Sequence, residues 1–139
     1  MMEKLETELR KIFLEKLPPL SPNVKEGLAK YLPWIIIVFG VLGLLCLFSI
    51  LGMFTAAARM AGGYTGIMSL IIVISAIIQI LGILAGYWML SRQLRGWQLA
   101  LLTSLTGFVV NIIHFSLFGI IIDFVFVYLL FQIREYYPR

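Results

Sequence analysis

The chain has 139 residues, 61% of them hydrophobic and 13% charged. Soluble domains carry roughly 25% charged residues, so the composition excludes an ordinary water-soluble fold. The net charge of +4 does not point to nucleic acid, because the bases flank apolar runs, where they meet lipid phosphates.

Residues 3–17 open the chain with an amphipathic pattern. Leu5, Leu9, Ile12, Phe13 and Leu17 recur at helical spacing, and charged residues cover the rest of the turn. Pro18-Pro19 ends that helix, and Ser21-Pro22 starts a short second one over 22–32, with Ser21 as N-cap and Pro22 at the first helical position. Pro33 and Trp34 mark where the chain meets the bilayer. Three uncharged stretches follow, 31–58, 60–91 and 96–122, each far beyond the ~18 apolar residues that read as a membrane span.

The expected spans are 34–55, 66–90, 97–113 and 117–133. The last two are an antiparallel hairpin folded at His114-Phe115-Ser116, and at about 17 residues each they are minimal for crossing, so a hairpin that dips in and returns is the alternative. The fold expected is all-α: a polytopic membrane protein with a four-helix transmembrane bundle over 34–133, helical segments over 1–33 and a short tail over 134–139. Ala56-Ala57-Ala58 has the look of a signal-peptide cleavage site, but the preceding region is long and carries both charge signs, so the first span is read as uncleaved.

With four spans, six Lys/Arg before the first span, Arg92 and Arg95 in the central turn, and Arg134 and Arg139 lie on one side, against Arg59 alone. The positive-inside rule therefore puts both termini in the cytoplasm. Trp34, Tyr87, Trp88, Trp97, Tyr136 and Tyr137 read as an aromatic belt on that side.

Polar residues inside the membrane carry the candidate chemistry. Asp123 is the one acid within the spans, and Asn111 lies at the same depth across the hairpin, about 9 Å below the turn. His114 shares the face of Asn111, and Arg59 can cap the group from the first loop. A proton or cation relay is one reading of Asn111, His114, Asp123 and Arg59; an Asn–Asp clasp holding the hairpin closed is the preferred one. Gln79, midway along the second span, needs a partner across a helix contact, with Thr103, Ser104 and Thr106 as candidates unless they bond back to their own helix. Gly82 and Gly86 form a GxxxG pair, and Gly40, Gly43 and Gly52 make a similar stripe. These are packing faces within one chain or in a homodimer. Arg92, Arg95 and Arg134 are candidates for lipid headgroups. Cys46 is the only cysteine, and no metal site, cofactor motif or catalytic set is present in the sequence.

Three stretches resemble a known group. The stretch from Tyr128 to Tyr137 (YLLFQIREYY), Leu94-Arg95-Gly96-Trp97-Gln98-Leu99 at the turn, and 17–25 (LPPLSPNVK) look like small four-span membrane proteins of candidate-phyla (Patescibacteria-type) bacteria. The resemblance covers most of the chain and implies a host and a fold rather than a reaction. Small multidrug-resistance transporters also have four spans, but their hallmark acid in the first span is missing from 34–55. The expected role is a non-catalytic assembly, scaffold or accessory subunit whose partners are the lipid bilayer and a second copy or another membrane protein. The alternative is a homo-oligomeric transporter or channel for small solutes or ions built around Asp123.

Overall fold

The computed structural model describes residues 1–61, 66–113 and 115–138, and leaves the side chains of residues 58, 59, 61 and 67–69 outside the description. Among the described residues every regular element is helical: α1 (Met2–Arg10), a π turn (Lys11–Glu15), α2 (Pro22–Ala61), α3 (Gly66–Leu90), α4 (Leu94–Ile113), α5 (Leu117–Gln132) and a 3-10 turn (Arg134–Tyr136). Stretches within α2, α3 and α4 are long and apolar enough to cross a membrane. The 16 residues of α5 are apolar too, though they cover only about 24 Å. The chain is a multi-pass membrane protein, and its transmembrane part is a four-helix bundle.

The helices pack in chain order, α2 on α3, α3 on α4 and α4 on α5, while α5 also packs against the π turn. The buried core is concentrated at the end where α2 starts and α5 finishes, around Leu32, Met89, Trp97, Leu101, Leu130 and Ile133. Towards the middle, large side chains such as Phe48, Val73 and Ile80 point outward, as expected where the solvent is lipid.

The short helix over 22–32 and the span starting at Trp34 are one helix of 40 residues that continues through Pro33. Proline has no N–H, so a helix containing Pro33 strands the carbonyl four residues back, that of Ala29. The Tyr137 hydroxyl donates to that Ala29 oxygen at 3.3 Å, with both residues buried. Burial pushes the Tyr137 phenol above its usual pKa, with nearby Arg92 opposing the shift, so the hydroxyl keeps its proton to donate.

The N-terminal helix also departs from the pattern. Its α-helical part stops at Arg10, and the wider π turn re-aims the side chains that follow. Phe13 is buried, stacked on Phe131 at 5.6 Å and tilted against Phe124 at 5.2 Å. Leu5 and Ile12, expected on the same buried face, are exposed. Glu6 accepts a 2.7 Å ion pair from Arg134, Leu20 N–H donates to Gln132 Oε1, and the Tyr128 hydroxyl donates to the Pro18 carbonyl. The extension is thereby fastened to the end of α5.

Glycine sets the α2–α3 seam. A Cβ on Gly40 would stand 2.6 Å from Ile83, one on Gly43 2.5 Å from the Gln79 amide, and one on Gly86 2.9 Å from the Pro33 carbonyl. Gly52 and Gly82 were expected on the same packing faces, but nothing lies within 4 Å of a Cβ at either. Gly82 turns toward the cleft described below instead of the seam.

Both described turns between helices have the same build. Arg92 (φ 54°) follows α3 and Phe115 (φ 53°) follows α4, each in the left-handed region. Arg92 N–H donates to Met89 O and Gln93 N–H to Trp88 O; Phe115 N–H donates to Ile112 O and Ser116 N–H to Asn111 O. These are Schellman turns that satisfy the last carbonyls of each helix. Ser116 then caps α5, its Oγ accepting from Gly119 N–H at 3.3 Å.

Candidate functional site

Two polar side chains meet inside the α4–α5 hairpin. Asn111 Nδ2 donates to Asp123 Oδ2 at 2.7 Å. The spacing that allows this is reciprocal: Gly107 sits one turn before Asn111 on α4, and Gly119 one turn before Asp123 on α5. A Cβ on Gly107 would stand 3.2 Å from the Asp123 carboxylate, and one on Gly119 would collide with the Asn111 amide. Each glycine therefore leaves room for the polar group of the opposite helix. Depth below the turn is enough to bring Asn111 and Asp123 together from the sequence, but it does not single out the glycines. Their signal is two Gly-x-x-x-polar pairs, 107/111 and 119/123, facing in opposite directions.

Asp123 also borders a cleft of about 660 Å³ between the helices, with Gln79, Thr103, Ser104, Gly82 and Cys46 among its lining. The cleft reaches all four bundle helices, from Ile36 and Phe39 on α2 to Ile122 and Phe126 on α5. The walls are mostly hydrocarbon, with Gln79, Thr103, Ser104 and Asp123 as the polar side chains among them. Gln79 covers Gly43 of α2, and its amide makes no hydrogen bond among the described residues. Thr103 and Thr106 donate to the carbonyls of Ala100 and Leu102 of their own helix, so they do not serve Gln79 as donors. Such an arrangement can hydrogen-bond a group that enters from lipid, and Asp123 supplies it with an acceptor or a charge.

Comparison with protein-family models, with curated proteins and with solved structures gives no match. The functional reading therefore stands on the residues of this chain.

His114 and the side chain of Arg59, both expected near Asp123, lie outside the described residues. The three headgroup candidates separate. Arg95 is exposed. Arg92 lies 5.8 Å from the ring centres of both Tyr136 and Tyr137. Arg134 is drawn inward, bonded to Glu6 and the Tyr137 carbonyl and placed 5.0 Å above the Trp97 ring. Trp97 and Tyr137, read as aromatic-belt residues, are fully buried in the core, because each donates to a carbonyl freed by helix geometry. Among the described residues no group of three or more His, Cys, Asp or Glu could hold a metal ion.

The clasp leads to a direct expectation. Asp123→Asn keeps an acceptor oxygen for Asn111 and should leave the thermal midpoint in detergent nearly unchanged. Asp123→Leu strands the Asn111 amide and should cost about 0.6–2 kcal/mol, the range for hydrogen bonds between membrane helices. Equal midpoints for Asp123→Leu and the wild type would show that the clasp adds nothing.

Proposed function

We propose that this protein is a non-catalytic membrane subunit whose cleft receives a transmembrane helix of a partner membrane protein. The observation that carries the reading is the cleft itself. It is mostly apolar, and it holds a few hydrogen-bonding groups of the kind that join helices in lipid, Gln79, Thr103 and Ser104. Gly82 opens into it with nothing within 4 Å of a Cβ position, so a second helix backbone can come close there. We further propose that both termini face the cytoplasm and that the membrane is a bacterial inner membrane. The flanking Lys/Arg support the first, and the resemblance to candidate-phyla proteins supports the second.

Cys46 makes the reading testable, since it is the only cysteine and an exposed residue of the cleft. A maleimide photo-crosslinker placed there in native membranes should give a protein adduct of one discrete mass. The same probe on Ile80→Cys, in a Cys46→Ala background, should give lipid adducts, because Ile80 points outward. Lipid adducts alone at Cys46 would sink the proposal. An adduct of twice the chain's mass would identify a second copy as the occupant.

A transport reading is favoured by one feature, the position of the Asp123 carboxylate on the same cleft as Gln79, Thr103 and Ser104. It requires pH-dependent flux in proteoliposomes that Asp123→Asn abolishes. The subunit reading expects no flux from either protein.

A further inference from the structure

A second pocket lies at the end of the bundle where the N-terminal segment meets α5. It is about 230 Å³, smaller than the membrane cleft, and its polar lining is Arg10, Lys25, Gln132, Arg134 and Glu135. Leu14 and Phe131 supply its apolar part. Its charges come from Arg10 on α1, Lys25 on α2, and Arg134 and Glu135 on the 3-10 turn after α5; with Glu6 paired to Arg134, one positive charge is left over.

Gln132, which lines the pocket, carries a buried donor without an acceptor among the described residues. The residue is 1% exposed, and its Oε1 accepts from Leu20 N–H at 3.2 Å. That bond fixes which end of the amide is oxygen. Its Nε2 is then the one buried side-chain polar atom without a hydrogen-bond partner among the described residues. Leaving a buried donor unpaired costs about 1–3 kcal/mol, so such a group is expected to have a partner outside the chain. The cations are partly available as well. Arg10 is exposed and has no acid partner among the described residues. Lys25 is held by Glu135 at 3.4 Å, a long pair with a largely exposed carboxylate, which an anion can replace. Arg134 is fixed by Glu6 and by the Tyr137 carbonyl, so it lines the pocket as one half of an ion pair.

We propose that this pocket is a binding site for a phosphate-type oxyanion, held by Arg10, Lys25 and the Gln132 Nε2–H. The pocket stands at the end of α5, where the apolar helix gives way to Arg134 and Glu135 as at a membrane surface, so the expected source of the phosphate is an anionic lipid. The site is separate from the membrane cleft, and the proposal does not depend on the subunit reading above.

The full chain, purified in detergent and stripped of lipid, provides the test. Phosphatidylglycerol should raise its thermal midpoint and remain bound in native mass spectrometry, whereas phosphatidylcholine should do neither. Inorganic phosphate forms the second arm: a shift from phosphate alone, equal to that from phosphatidylglycerol, identifies a soluble ligand in place of a lipid. Arg10→Gln, at an exposed position, should weaken phosphatidylglycerol binding about tenfold, the effect of losing one charge-assisted contact. Gln132→Glu keeps the acceptor for Leu20 N–H, puts a carboxylate oxygen where the donor stood, and should abolish binding. Lys30→Gln removes the same charge outside the pocket and should bind as the wild type. The proposal is overturned if neither phosphatidylglycerol nor phosphate gives more than phosphatidylcholine. It is overturned equally if Arg10→Gln binds phosphatidylglycerol as tightly as Lys30→Gln does.

Discussion

Trp97→Ala is expected to destabilise the bundle by about 3–5 kcal/mol, among the largest effects of any single truncation in the chain. Three losses combine. The ring is fully buried, so its removal leaves a cavity between α4 and α5. Its edge-on contact with Phe131, centroids 5.4 Å apart, is lost, a term of roughly 0.5–1.5 kcal/mol. Its Nε1–H donates to the Leu130 carbonyl at 2.7 Å. That carbonyl belongs to the last turn of α5, where the helix has no N–H left to offer, so without the indole it is stranded in the core. Trp97→Phe separates the terms: most of the volume stays while the carbonyl loses its donor, and the cost should fall to about 1–3 kcal/mol. Thermal unfolding of the purified protein in detergent reads both. A Trp97→Ala midpoint equal to that of the wild type would show that this end of the bundle is not the core of its stability.

Gly96→Val should be nearly as damaging, through overpacking. A Cβ at position 96 would stand 2.5 Å from the Met89 nitrogen, 2.7 Å from the Trp88 carbonyl carbon and 2.8 Å from the Trp88 Cβ. The first two are backbone atoms, so no side chain can swing aside, and α4 must move away from the end of α3. Overpacking of this kind costs about 1–3 kcal/mol even for modest insertions, and a branched side chain belongs at the upper end. The yield of monodisperse protein in size-exclusion chromatography should drop sharply. Gly52→Ala is the matching control. Nothing lies within 4 Å of its Cβ position, and an alanine in a helix is favoured over glycine, so its yield should equal or exceed that of the wild type. Similar yields for Gly96→Val and Gly52→Ala would mean that the α3–α4 contact is not fixed.

The Asn111–Asp123 contact was legible in the sequence because a short hairpin leaves few degrees of freedom. Once residues 114–116 are the turn, residues equally far from it face each other at the same depth. The glycines could be recognised as small but not assigned. Gly40, Gly43 and Gly86 meet a neighbour, whereas Gly52 and Gly82 do not, although all five lie in small-residue stripes of apolar helices. Which face of a helix meets a neighbour depends on crossing geometry, which in lipid is not announced by hydrophobicity, since every face is apolar. The pocket around Gln132 was illegible for a different reason. Its residues are scattered from Arg10 to Glu135, and only the docking of the N-terminal segment on α5 collects them.

What the sequence by itself determined is the solvent and the class of fold: uncharged runs of this length have no stable place except in a bilayer, and the backbone there must bond within each helix. It also carried the polar pair of the hairpin, through counting. The tertiary structure alone decided how the first half of the chain is built. Local rules end a helix at Pro33, because the Ala29 carbonyl loses its donor; the Tyr137 hydroxyl, more than a hundred residues away, supplies another, and the helix continues. By the same route Trp97 and Tyr137 became core residues. Both are amphipathic rings that suit a membrane interface by composition, and each was drawn inward by one backbone oxygen that nothing nearby in sequence could satisfy.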